Sequence, residues 1–322
     1  MKVKVTVVIP NWNGADYISR CIDSLLAQTT KHKIILVDNG SVDNSIEIIK
    51  NQYSEVKLIK LEKNHGFAGG VNEGIKYSIK NTYDYVALFN NDAIADKHWL
   101  EKLIQAADKH QEAGIITGKF MKIDKQHLDS TGDFYSTVGM PFPRGRNQID
   151  KGQYDKPENV FSATGGASLY RISMIKEIGK FDEKFFAYFE DVDISFRAQL
   201  AGWKVWYEPN AIAYHHVGAT SSKLGNFTRY HSIKNFYFLY IKNMPLRLML
   251  KYSPRFIFQA LKMFISSLVK GAGLVYIKAF GRVILEIPTI LKERRLIQKY
   301  KKVSSDYIDN FLYKGKPPKI PL

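Results

Sequence analysis

The chain of 322 residues has a single cysteine, Cys21. An internal disulfide is therefore excluded, the composition suits a reducing compartment, and Cys21 reads as a small core residue of the first helix. No uncharged run approaches the roughly 20 residues needed to span a bilayer. The most apolar stretch, residues 256–288, is interrupted by Lys262, Lys270, Lys278 and Arg282. The opening run, residues 3–10, is too short for a secretory h-region and has no small-residue cleavage site, so it reads as a buried first strand and the active site is expected to face the cytoplasm. A GxGxxG fingerprint is missing, which weighs against a dinucleotide fold. Residues 11–14 carry no Lys or Arg to hold a triphosphate, which weighs against nucleotidyl transfer. Negative charge is scarcest late in the chain, where residues 223–322 hold four Asp+Glu.

Against those four acids stand 20 Lys+Arg, whereas residues 1–222 balance 27 Lys+Arg with 27 Asp+Glu. The whole formal charge of +16 thus belongs to the last hundred residues, and two physically different parts share one chain. The length accommodates one large α/β domain, 1–222, with an appendage, 223–322. In the appendage Gly271 and Gly273 should separate two helices. Lys278, Arg282 and Lys292 fall on one helical stripe that Pro288 should kink. Basic amphipathic helices of this kind lie in a membrane interface, so an anionic membrane surface is the expected partner. Nucleic acid is not, because the aromatics stand among long aliphatic runs that suit lipid better than base stacking.

The first half alternates strand and helix signals. Strands are expected at residues 3–10, 34–37, 56–61 and 85–89, and helices at 18–26, from 45, 66–80 and near 97–110. This order argues for a mostly parallel sheet flanked by helices, with ligands bound beyond the carboxyl ends of the strands. Three strand ends are polar: Pro10-Asn11, Asp38-Asn39 and Asn90-Asn91-Asp92. One such end is ordinarily a turn or a cap, but three on one sheet edge, with a glycine-rich loop among them, can converge on a ligand. Residues 139–159 read as a long surface loop that could order on substrate binding.

In order along the chain, Val7-Val8-Ile9-Pro10-Asn11-Trp12-Asn13-Gly14, Val37-Asp38-Asn39-Gly40-Ser41, Asn64-His65-Gly66-Phe67-Ala68-Gly69-Gly70-Val71-Asn72, Leu88-Phe89-Asn90-Asn91-Asp92, Phe189-Glu190-Asp191-Val192-Asp193 and His215-His216-Val217-Gly218 resemble the motifs of family 2 glycosyltransferases with the GT-A fold. The resemblance covers roughly residues 3–222 and is nearest to bacterial rhamnosyltransferases of cell-surface polysaccharide assembly. It implies a Rossmann-like sheet, a nucleotide-diphosphate sugar donor, a Mg²⁺ or Mn²⁺ ion and inversion at the anomeric carbon. A rhamnosyl donor, dTDP-rhamnose, and a lipid-linked saccharide acceptor are expected, with UDP-hexoses, galactofuranose donors included, as the alternative.

Transfer from such a donor requires a held base and ribose, a neutralised diphosphate and a deprotonated acceptor hydroxyl. Asp38 can accept the imide N–H of uracil or thymine. Pro10, Asn11 and Asn13 are expected to shape the same pocket. The segment opening at Gly66 should let backbone approach the nucleotide and aim a helix N-terminus at it, with Asn72 on the ribose. Asn91 and Asp92 belong to the motif that holds the metal and diphosphate. Asn90 replaces the first acid of the usual DxD, so Asp92 is its only carboxylate. The family pattern makes His216 the second metal ligand, with His215 as the alternative. Asp191 is the expected general base and Glu190 its neighbour, tuning its pKa or touching the sugar. Thr164, Gly165 and Gly166 should form a backbone wall near the acceptor. Asp193 and Arg197 are read as an i,i+4 ion pair, and Trp203 as core.

Overall fold

The computed structural model describes residues 3–216 and 225–318. Its first half runs β1 (Val5–Asn11), α1 (Ala15–Leu26), β2 (Lys33–Asn39), α2 (Ser45–Gln52), β3 (Lys57–Leu61), α3 (Gly66–Lys80) and β4 (Tyr85–Phe89). Strands β3, β2, β1 and β4 lie side by side in that order, all parallel. Alternation along β1 sets the layers. Val5, Val7 and Ile9 pack with Ile18 and Ile22 of α1, whereas Val8 packs on the opposite face with Val71 and Ile75 of α3. Helices therefore cover both faces.

The chain continues through β5 (Ala93–Ala95), α4 (Trp99–Lys109), β6 (Ala113–Lys122), the short strands β7 (Leu128–Ser130), β8 (Asp133–Tyr135), β9 (Pro141–Pro143) and β10 (Glu158–Asn159), then β11 (Ala167–Arg171), α5 (Ile172–Ile178), α6 (Glu190–Leu200) and β12 (Lys204–His215). Here the sheet departs from the all-parallel pattern. Strand β11 enters antiparallel between β4 and β6, β12 runs parallel to β6, and β5 and β10 pair antiparallel with β12. The polar ends of β1, β2 and β4 nevertheless share one edge, as the parallel half requires.

Four helices close the chain: α7 (Gly225–Asn243), α8 (Leu246–Val269), α9 (Gly273–Lys299) and α10 (Ser305–Phe311). Gly271, at φ +69°, separates α8 from α9 as its sequence position suggests, while α9 continues through Pro288. The boundary expected between 222 and 223 lies outside the described residues. Beyond it, α7 packs closely on the first part of the chain: Ile233, Phe236 and Leu239 share an apolar cluster with Phe185, Val192 and Phe196. Residues 139–159 also need correction. Met140, Phe142 and Arg144 are buried, β9 pairs with β8, and Tyr313 packs edge-on against Phe142, so the exposed part starts only after Gly145. Apolar side chains in a short run without period gave no sign of that packing.

Candidate active site

At the nucleotide edge the hub is Asn11, which is 1% exposed. Its Nδ2 donates to Asp38 Oδ1 at 3.2 Å and to Ser45 Oγ at 2.9 Å, while its Oδ1 accepts from Asn91 Nδ2 at 2.8 Å. One amide thus ties the ends of β1, β2 and β4 together. Asp38 Oδ2 also accepts from the Ser41 N–H, so this carboxylate both caps its turn and holds Asn11. Asn13, at φ +52°, clamps the facing loop: its N–H donates to Ser41 Oγ and its Oδ1 accepts from the Val42 N–H. Pro10 borders this group, 3.5 Å from where a Cβ on Gly70 would stand. Asn39, at the polar end of β2, joins it, donating to Gly66 O and accepting from the His65 N–H.

Two predicted members have other work. Asn72 both donates to Phe181 O and accepts from the Phe181 N–H, and its Nδ2 reaches Glu183, so both hydrogens of its buried amide are taken. Gly66 is needed for packing. At φ +73° a Cβ there would stand 2.3 Å from Phe186 O, and one on Gly74 would stand 2.3 Å from Val8 Cγ1.

The turn between β4 and β5 presents Asp92. Its Oδ1 faces His215 Nε2 at 3.2 Å, and His215 Nδ1 faces Asp129 Oδ2 at 2.8 Å. Arg146 closes the chain with two donor hydrogen bonds to Asp129 Oδ1. Burial opposes charge on His215, but its hydrogen bonds to Asp129 and Asp92 outweigh it and hold the pKa up at about 9. Burial likewise disfavours the Asp129 anion, yet His215 and Arg146 keep this carboxyl below its usual value. The two histidines therefore differ in task. His215 is an imidazolium whose nitrogens both meet carboxylates. His216 is held neutral by burial and by the Arg20 charge, its N–H donates to Asp92 O, and its Nε2 is buried with no partner among the described residues. An orphaned imidazole nitrogen beside Asp92 fits a divalent ion. The Val217-Gly218 part of that motif lies outside the described residues. Among the described residues no cluster of three or more acids, histidines or cysteines stands ready to hold a metal.

Opposite lies a carboxylate of different character. Asp191 Oδ2 accepts from the Gly165 N–H and Oδ1 from the Val192 N–H, each at 2.8 Å. A Cβ on Gly165 would stand 3.3 Å from Asp191 Cβ, and one on Gly166 would stand 2.9 Å from Asn90 Nδ2. The Thr164-Gly165-Gly166 segment, expected as a wall near the acceptor, therefore packs between Asp191 and Asn90. Burial raises the Asp191 pKa despite both hydrogen bonds. Burial, and then the Asp191 charge, push Glu190 well above the carboxylate range, and Glu190 Oε2 has no partner among the described residues. Asp133, which no sequence motif marked, is buried with Ser130 as its side-chain donor; burial and the nearby Asp191 charge raise it to about 7. The Asp193–Arg197 pair is buried at 2.8 Å, as expected. Trp203 is only partly buried, and its Nε1 donates to Glu177.

Asp129, Asp133 and Arg146 are neighbours of the two acidic motifs that the sequence concealed. They come from short strands and an irregular segment, where no periodicity or strand-end position singles out one polar residue among many.

The arrangement can be compared with known proteins. The model of "Glycosyl transferase family 2" matches residues 6–179. Staphylococcus aureus poly-beta-1,6-N-acetyl-D-glucosamine synthase is 26% identical over 216 residues, 65% of this chain and 49% of that protein. Myxococcus xanthus O-antigen biosynthesis protein RfbC is 27% identical over 227 residues, 67% of this chain and 18% of that protein. The chain thus spans about half the length, or less, of these curated relatives. Among solved structures, S. aureus TarS 1–349 is 17% identical with a TM-score of 0.56, covering 96% of this chain and 89% of that one. GalNAc-T7 with UDP, GalNAc and Mn²⁺ is 15% identical with a TM-score of 0.63, covering 89% and 57%. At these identities the structural likeness establishes the GT-A fold, α/β with a helical C-terminal extension. With the family model spanning more than half the sequence and the ordered motifs gathered on one sheet edge, the chain belongs to glycosyl transferase family 2.

Proposed function

We propose that this glycosyltransferase moves a sugar from a nucleotide diphosphate to a saccharide acceptor with inversion, Asp191 acting as general base. The observation that carries the reading is the placement of Asp191. It is a carboxylate raised by burial, held by the Gly165 N–H and set across a glycine wall from Asp92. A base with a raised pKa accepts a proton more readily as the acceptor oxygen attacks the anomeric carbon. Single displacement needs no second carboxylate as nucleophile, and Glu190, held neutral, is suited to hydrogen-bond the sugar rather than attack it. Asp38, Asn11 and Asn13 form the base pocket. Asp92 and His216 would hold the divalent ion, which when bound would neutralise the departing diphosphate. Mn²⁺ in the related GalNAc-T7 structure supports this assignment. Arg146 adds a fixed positive charge near Asp191. Polysaccharide assembly is supported by the names of the curated relatives, and dTDP-rhamnose, against UDP-hexoses, by the family resemblance of the motifs. A thermal-shift screen of nucleotide sugars with and without Mn²⁺, followed by transfer assays on the hits, tests this. A Mn²⁺-dependent shift with one nucleotide sugar is expected, and no shift with any would overturn it.

A second surface supports action at the cytoplasmic face of a membrane on a lipid-linked acceptor. On α8, Leu246, Leu250, Ile257, Leu261 and Leu268 recur at helical spacing and are all exposed, and α9 adds Leu274, Ile277 and Ile284. Exposed Lys262, Lys270, Lys278 and Lys292 accompany them. Among the described residues no helix is long and apolar enough to cross a membrane. An outward apolar stripe flanked by cations matches an anionic bilayer surface rather than a span. Flotation with anionic vesicles is expected to carry the protein, and Ile257→Asp with Leu261→Asp to abolish it. Binding to oligonucleotides instead would overturn the docking.

A further inference from the structure

Glu190 and Asp191 open α6 directly after an unusual turn. Phe186, Tyr188 and Phe189 all adopt left-handed φ values of 65°, 72° and 68° without being glycine. Such backbone is strained and persists only where its surroundings fix it. The fixing group comes from α7. Asn235, 0% exposed, directs Nδ2 at three carbonyls of this turn: Phe185 O at 2.9 Å, Ala187 O at 2.8 Å and Tyr188 O at 2.7 Å. Its own Oδ1 has no partner among the described residues, so the side chain serves through its two N–H groups. Two flanking lysines of α7 reinforce the grip: Lys234 Nζ donates to Lys184 O, and Lys242 Nζ pairs with Asp182 at 2.6 Å.

We infer that Asn235 is a positioning residue for the reaction. It locks the strained turn and thereby sets where the Asp191 carboxylate stands, making α7 part of the catalytic apparatus. The inference rests on the base assignment of Asp191 made above. Removing the amide leaves three buried carbonyls competing for other donors and frees the turn to relax toward right-handed backbone. The start of α6 then shifts more than the strand ends of β1, β2 and β4, which meet the turn through α3, where Phe186 O accepts from the Ala68 N–H. Small misplacements of a catalytic group have disproportionate kinetic effects.

The test is steady-state transfer by Asn235→Ala in the full chain, with donor KM, pH profile and melting temperature measured together. The expected result is kcat lowered about 10-fold or more, donor KM within about two-fold, and a displaced acid limb, a split that general destabilisation would not produce. Unchanged kcat, or kcat and donor KM altered in parallel, overturns the inference. Should Asn235→Ala not fold, amide exchange in the wild-type protein decides. Protection of the Phe186 and Ala187 amides, which donate to Glu183 O and Phe185 O, equal to that of central α7 is expected, and fast exchange independent of α7 overturns it. Asp191→Asn run alongside keeps the two claims apart: if it transfers normally the base assignment fails, whereas Asn235→Ala with normal kcat beside an inactive Asp191→Asn defeats the positioning role alone.

Discussion

The site has two acidic centres built on opposite terms. Around Asp92 every carboxylate meets a cation: Arg146 holds Asp129, Asp129 holds His215, and His215 faces Asp92. Around Asp191 the carboxylates meet backbone N–H groups, a serine hydroxyl and one another, and Asp191, Glu190 and Asp133 all have raised pKa values. The first centre fixes its charges, as cation and diphosphate binding requires. The second keeps protons within reach, as an acid–base role requires. Environment rather than residue type separates the tasks.

That contrast can be broken by substitution. The largest effect should follow Asp191→Asn, which removes the proton acceptor without changing shape. Transfer should fall about 10³-fold with donor affinity retained, as read by single-turnover assay beside calorimetry. Asp129→Asn should be milder. It loosens His215 and so Asp92, costing about 10- to 100-fold in activity, and added Mn²⁺ should restore part of the loss. Asp133→Asn should give the smallest effect. Asp133 still holds its proton where Asp191 ionises, so the acid limb of kcat/KM should stay in place. The substitution should instead stabilise the fold. Asp133 keeps its proton up to about pH 7 when folded, against roughly 3.9 when unfolded. Its contribution is therefore full below the unfolded value and lost as pH rises toward and through 7. At pH 8 the variant should melt on the order of 3 °C higher, and at pH 4 the difference should vanish.

How much of this the sequence disclosed follows the same division. The bounds of α3 and β4 were legible to the residue, and the strand ends carrying Asn11, Asp38 and Asp92 were legible because parallel strands place their carboxyl ends on one edge. Asp129, Asp133 and Arg146 were hidden because β7 and β8 are three residues long and show no usable period. Helix α7 shows another reason. Lys234 and Lys242 counted toward the basic, membrane-associating region expected at residues 223–322, yet both are buried, one on a carbonyl and one in an ion pair with Asp182 and Asp193. A helix buried on most sides shows no clean stripe, and charge alone does not reveal whether a partner waits in the fold. Where the region does expose apolar residues, on α8 and α9, the amphipathic reading matched the surface.

The measurement that bears most directly on the two-centre account is nucleotide-sugar binding, with and without Mn²⁺, for Asp92→Asn and Asp191→Asn, paired with transfer by each. The account predicts that Asp92→Asn loses the Mn²⁺-dependent share of donor affinity, while Asp191→Asn binds donor as the unaltered protein does and transfers almost nothing. Intact transfer by Asp191→Asn, or Mn²⁺-dependent binding untouched in Asp92→Asn, would contradict it.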